Sequence, residues 1–289
     1  MTGVHLQNGS RAAAKMPVDT AADPAARSAP LIAVSNLTFW YGRTLVLENV
    51  SFEVPDGEFL SIIGASGCGK STLLQILDGI LRPTEGTVLV RGRAVGTVRD
   101  NSRAMVFQNF ALFPWKTVLD NVRLGLDYRR RDLTRKQRME IARHYLDRVG
   151  LAAAESLYPY QLSGGMQQRV GLARAFAVQP DMLLMDEPFG ALDAQNAELL
   201  REDLHALVAE EHRSVIFVTH NLDEALQLSG RILLMSSSPG RIFEDIPLAA
   251  QKLDVDHWIH EQQGQYRTRI WDFLKTEVAS AQGRQVRQR

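Results

Sequence analysis

Between Leu31 and about residue 250, apolar runs of strand length alternate with segments whose apolar positions recur at helical spacing. Ile32–Val34, Phe59–Ile63, Thr87–Val90, Ala104–Phe107, Met182–Met185, Val215–Thr219 and Ile232–Met235 read as strands. Several are apolar throughout, as strands are when both faces of a parallel sheet are covered. Helices are predicted over Ser71–Ile80, Thr134–Val149 and Ala191–Glu211. The second opens with the box Thr134-x-x-Gln137 and stops at Gly150, a capped start and a glycine finish. Strand-helix-strand alternation predicts an α/β fold with a largely parallel sheet. The stretch from about Phe110 to Gln161 lacks good strands and reads as a helical insertion. No internal repeat interrupts this core.

The two ends read differently. Residues 1–30 hold eight alanines and three prolines but no aromatic side chain. Their longest apolar stretch, Ala12–Ala14, falls short of the roughly 7–15 residues of a secretory signal, and the composition predicts a disordered extension. Over 251–289, Ile259, Tyr266, Ile270, Leu274 and Val278 keep helical spacing before an arginine-containing tip. That pattern predicts an amphipathic helical tail docked on its own domain, in preference to a membrane surface.

Composition narrows the function classes. The chain is 45% hydrophobic and 23% charged, ordinary for a globular protein. Thirty-three basic and thirty-three acidic residues cancel, which argues against holding nucleic acid by bulk charge. The single cysteine, Cys68, excludes an internal disulfide and fits a reducing compartment. No apolar run approaches the ~18–20 residues that cross a bilayer; Val215–Val218 is of strand length only.

Gly64-Ala65-Ser66-Gly67-Cys68-Gly69-Lys70-Ser71 matches G-x-x-x-x-G-K-[ST] and lies between a predicted strand and a predicted helix. Glycines reach backbone angles closed to other residues, so successive N–H groups can curl around an anion. The following helix adds the positive end of its dipole. Lys70 can reach β- and γ-phosphates, and the Ser71 hydroxyl can ligate Mg²⁺. Cys68 contributes its backbone N–H, its thiol being chemically incidental.

Two further segments decide among phosphate-loop proteins. Leu162-Ser163-Gly164-Gly165-Met166-Gln167-Gln168-Arg169 resembles the signature, LSGGQ or a close variant, of the ATP-binding subunits of ABC transporters. Met166 stands where another residue is commoner. Ser163 can cap the helix that follows, which leaves the glycine N–H groups free to face an anion. Met182-Leu183-Leu184-Met185-Asp186-Glu187-Pro188 is a buried strand that delivers two carboxylates at its C-terminal edge, where ligands of α/β sheets bind.

The resemblance covers roughly residues 31–245 and implies roles residue by residue. It implies a P-loop NTPase fold with a mainly parallel sheet, an N-terminal antiparallel β part and a helical insertion carrying the signature. It implies catalysis by Glu187, polarising water, His220, at the γ-phosphate, and Lys70. ATP would be held by Tyr41, stacking on adenine, by Gly64, Ala65, Ser66, Gly67, Cys68, Gly69, Lys70, Ser71 and Thr72, and by Gln108. Mg²⁺ would be held by Ser71, Gln108 and Asp186. Ser163, Gly164, Gly165, Gln167 and Asp193 would act on the nucleotide of an opposite subunit.

One phosphate loop and one signature per chain imply a second ATPase subunit, expected to be another copy. An integral membrane permease would take up the motion, with an external solute-binding protein acting indirectly and no nucleic acid. Placement is expected at the cytoplasmic face of the inner membrane, peripherally. Phe113-Pro114-Trp115-Lys116-Thr117-Val118-Leu119-Asp120-Asn121-Val122, Tyr158-Pro159-Tyr160-Gln161 and Ser237-Ser238-Pro239-Gly240-Arg241-Ile242 are similar to the nitrate/sulfonate/taurine importer group. A soluble ABC-type ATPase is the alternative. That class usually carries a long coiled-coil insertion or two fused ATPase domains, and neither is present. The expected organisation is an extension over 1–30, an ATPase domain over 31–250 with a helical part at about 110–165, and a tail over 251–289.

Overall fold

The computed structural model describes residues 29–96, 102–237, 239–248 and 264–277. The extension expected over 1–30 therefore lies almost wholly outside the described residues, as do Ile259 and Val278 of the expected tail.

An antiparallel hairpin opens the described chain: β1 (Ile32–Tyr41) turns at Gly42 into β2 (Thr44–Val54). After β3 (Phe59–Gly64) and helix α1 (Lys70–Asp78), β4 (Glu85–Val90) and β5 (Arg93–Ala94) complete a four-stranded sheet ordered β2-β1-β4-β5. The rest is β6 (Arg103–Val106), α2 (Val118–Arg129), α3 (Arg135–Arg148), α4 (Gly164–Ala177), β7 (Met182–Asp186), α5 (Ala194–Glu211), β8 (Ser214–Thr219), α6 (Leu222–Leu228), β9 (Arg231–Ser236) and β10 (Arg241–Pro247). A last helix, α7, runs over 264–277. The second sheet is ordered β10-β9-β3-β8-β7-β6 and is parallel except for β10.

Both faces of its central parallel strands are covered, which is why β3, β7, β8 and β9 carry no polar alternation. Along β8, Val215 and Phe217 pack with α2, α3, α4 and α5, whereas Ile216 and Val218 pack with α1 and the hairpin sheet. Ile63, Ile232 and Leu234 belong to a third cluster with α6 and Ile270 of α7.

Thr44–Val54 and Arg241–Pro247 are strands that apolar runs do not reveal. Each is an edge strand with one wet face, and Asn49 interrupts β2 with a φ of 49°. The expected strand Ala104–Phe107 is shifted one residue earlier. The helix expected from Ala191 starts at Ala194 because Asp193 caps it, its side chain accepting from Asn196 N. The helix expected to reach Ile80 stops at Asp78, closed by left-handed Gly79. The Thr134–Gln137 capping box is present. In the basic run Arg129–Arg138, Arg138 is partly internal: it shares Asp127 with Arg123 at 2.9 and 3.1 Å, both guanidinium groups largely covered.

Candidate active site

The parallel strands β3, β7 and β8 and the neighbouring β6 point their C-terminal ends at one place. From β3 the chain turns through residues 65–69 into α1. Gly67 and Gly69 hold φ values of 79° and 101°, closed in practice to L side chains. Gly69 has a second reason: a Cβ there would sit 2.7 Å from Leu47 Cδ2. At Gly64 a Cβ would meet the Met235 carbonyl at 2.5 Å. Gly69 provides no side-chain cap to α1, so the first-turn N–H groups are available to an anion. Lys70 is buried, its Nζ donating to Gly64 O at 2.8 Å and Ala65 O at 3.1 Å. Burial pushes the Cys68 thiol up, the Lys70 charge only partly opposing it, so the thiol stays protonated and inert.

Across the loop, Ser71 Oγ donates to Asp186 Oδ1 at 3.0 Å. Burial raises the Asp186 carboxyl above its ordinary range, helped by the charge of Glu187 and opposed by the Ser71 bond. The Ser71 hydroxyl and the Asp186 carboxylate, held together, are oxygen donors of the kind that fit a hard divalent cation. Glu187 follows Asp186 with φ 45°, a left-handed conformation that costs a non-glycine residue energy and clusters at functional sites. Its Oε2 lies 3.1 Å from His220 Nδ1 and 3.4 Å from Gln108 Nε2. Residues from the ends of β6, β7 and β8 thus meet on one carboxylate oxygen. A cavity of about 370 Å³ opens beside Glu187, His220 and Gly190.

Behind His220 stands a residue that motif reading passes over. Glu224 is buried, accepts from Thr219 Oγ1 at 2.6 Å and Asn221 Nδ2 at 3.3 Å, and is raised above its ordinary range by burial. The spacing Asn221-x-x-Glu224 at a helix start was its signal.

The signature lies elsewhere in the chain. Ser163 caps α4, accepting from Met166 N at 3.3 Å. A Cβ at Gly165 would meet Asn196, and one at Gly164 would reach Leu192, so the α4 start and the Asp193 loop form one surface. Gln167 donates to Pro159 O and Leu162 O of its own chain at 3.0 and 3.3 Å. Tyr41 is half-exposed at the hairpin tip, edge-on to Phe39 with ring centres 4.8 Å apart. Trp40 is exposed as well.

Gly240 lies in a stretch that the sequence singled out only for its likeness to importers, and its contact with the phosphate loop was not legible there. It forms a parallel bridge with Leu47, and a Cβ on it would lie 2.1 Å from the Cys68 carbonyl. The segment Pro239–Ile242 therefore wedges the hairpin against the phosphate loop.

A parallel sheet with a glycine loop after β3 and paired carboxylates after β7 defines a P-loop NTPase. The family model described as ABC transporter matches residues 47–190. The chain is 44% identical over 250 residues to an uncharacterized ABC transporter ATP-binding protein, MJ0412, of Methanocaldococcus jannaschii, covering 85% of this chain and 91% of that protein. It is 47% identical to the taurine import ATP-binding protein TauB of Rhizobium johnstonii, covering 70% and 76%. It is 43% identical to the nitrate import ATP-binding protein NrtC of Synechococcus elongatus, covering 82% of this chain but 36% of that one. A dimeric post-hydrolysis structure of the ATP-binding cassette MJ0796, bound to ADP and Pi, is 33% identical with a TM-score of 0.67, covering 76% of this chain and 99% of that one. The chain belongs to the ABC transporter family and is one of its ATP-binding ATPases.

Proposed function

We propose that this chain is the ATP-hydrolysing subunit of a membrane importer, energising uptake of nitrate, taurine or a similar small solute through a separate permease. The observation that carries the reading is the Glu187 carboxylate held between His220 and Gln108, next to the Ser71–Asp186 pair. The relatives named for nitrate and taurine import support the solute class.

Lys70 trades its two carbonyl acceptors for phosphate oxygens of ATP, while the loop N–H groups from Gly64 to Thr72 cradle the chain of phosphates. Tyr41 stacks on the adenine. Ser71, Asp186 and Gln108 would hold Mg²⁺, which would supply neutralising charge to the phosphates. Glu187 accepts a proton from the attacking water, and His220 fixes that carboxylate and contacts the γ-phosphate. A second copy closes the site with the partner subunit's Ser163, Gly164, Gly165 and Gln167 and the partner subunit's Asp193. ATP favours the closed pair by binding it better than the open one.

Among the described residues no helix is long and apolar enough to cross a membrane, and coupling to the permease falls to an exposed aromatic surface. Trp115 and Tyr160 are 70% and 76% exposed, on loops joined where Val118 N and Leu119 N donate to Leu157 O and Glu155 O. This surface receives a permease helix at the cytoplasmic face, and an external binding protein hands over the solute.

Glu187→Gln is expected to bind MgATP within about threefold of wild type and to lose hydrolysis by roughly 10²-fold or more. Near-wild-type phosphate release by that variant refutes Glu187 as the base. Charged replacements at Phe113 or Trp115 are expected to spare hydrolysis by the isolated chain and to abolish transport when the permease is present.

A further inference from the structure

Two non-glycine residues in succession, Phe110 and Ala111, hold positive φ values of 21° and 46° immediately after the Gln108 loop begins. Such backbone strain persists only where the surroundings enforce it. Here the enforcing group is Arg174, in the last turn of α4. Its Nη1 donates to Ala111 O at 2.7 Å and its Nη2 to Phe110 O at 2.9 Å. One turn earlier Gly171 also faces the Phe110 carbonyl, at 3.7 Å from where a Cβ would stand. The guanidinium is partly buried, and desolvation lowers its pKa with no opposing carboxylate. A planar fork spends two N–H groups on two adjacent carbonyls, a geometry a point-charge ammonium cannot reproduce.

Helix α4 therefore has two ends with two duties. Its N-terminus carries Ser163, Gly164 and Gly165, and its C-terminal turn grips the chain two residues beyond Gln108. Fourteen residues of regular helix connect them, about 21 Å of rigid rod. We infer that Arg174 is a positioning residue that locks the 108–111 loop to α4, so that the Gln108 side of one nucleotide site and the signature offered to the other move as one body. This rests on the assignment of Gln108 and the signature proposed above. A purely local role, completing the α4 dipole with a positive side chain, would leave the two segments independent.

Amide hydrogen exchange on the full chain separates the cases, comparing wild type with Arg174→Lys at concentrations where both are monomeric. Without nucleotide, the lysine variant is expected to exchange at 109–112 at least tenfold faster while melting as cooperatively as wild type. With MgATP, wild type is expected to slow exchange at 108–112 and at 163–167 together. The variant is expected to lose the protection at 163–167, and its kcat, measured at concentrations where two copies pair, to fall tenfold or more with KM for ATP within threefold. Unchanged exchange at 109–112 without nucleotide, or joint protection retained in the variant, overturns the inference. If the variant does not fold, the wild-type experiment decides: protection at 108–112 without protection at 163–167 overturns it. A wild type that gains no protection anywhere from MgATP and, at concentrations where two copies pair, releases no phosphate refutes the assignment of the site itself, whatever the nucleotide-free comparison shows.

Discussion

Asp186 is asked to ionise where burial opposes it. Its folded pKa lies above the unfolded one, so the native state binds the proton more tightly, and stability falls as pH rises from the ordinary carboxylate value to the raised one. Asp186→Asn keeps an acceptor for Ser71 and removes that cost. In chelator, the variant is expected to melt roughly 1–3 °C above wild type at pH 7, and the advantage is expected to fade as pH falls below about 4. Thermal melts across pH check this. Added MgATP is expected to reverse the order, raising the wild type while leaving the variant nearly unmoved. Glu187 shows a related expense in its left-handed backbone, kept where His220 and Gln108 meet it.

At the scale of elements, caps and one buried amide set where the functional loops begin. Thr134→Ala removes one side of the capping box and is expected to cost about 1 kcal/mol in denaturant unfolding. Asn121 in α2 has a larger task. Fully buried, it accepts from Phe113 N at 2.8 Å and donates to the carbonyls of Phe113, Lys116 and Thr117 at 3.2, 3.1 and 2.9 Å. That amide shapes the 113–117 loop and so presents Trp115 to solvent. Asn121→Leu, close in volume, is expected to cost roughly 2–3 kcal/mol by taking the partner from Phe113 N and Lys116 O, measured by denaturant unfolding. Thr134 was legible in the sequence because its partner sits three residues away. Asn121 lies within a stretch singled out for its likeness to importers, but its role depends on a loop folding back onto it.

Across the whole molecule, α7 ties together parts that the catalytic motifs leave separate. Ile270 is fully buried in the cluster of β3, β9, α6 and β10, with Tyr266, Phe273 and Leu274 packed against it. Arg267 pairs with Asp223 at the start of the helix that follows His220. Glu277 accepts from Ser237 N and Oγ at 2.7 and 2.8 Å, on the approach to Gly240. Ile270→Asp buries an unpaired charge and is expected to release α7 alone. Trypsin cleavage at Arg267 and Arg269 should accelerate by tenfold or more while the parallel sheet still unfolds cooperatively.

Local spacing alone determined the alternation of apolar strands with helices in the core, the glycine turn before Lys70, the capped start at Ser163 and the carboxylates at the end of Met182–Asp186. Each depends on backbone geometry and chemistry within a few residues, which sequence neighbours dictate. Tertiary structure decided the rest. Val215 and Ile216 are equally apolar, so only the two packed layers assign them to opposite faces. The edge strands Thr44–Val54 and Arg241–Pro247 exist because partners pair with them. Gln108, Glu187 and His220 come from three separate strand ends, and Gly240 meets Cys68 across most of the chain. Such contacts form through register and chain closure, and a one-dimensional pattern has no means of expressing either.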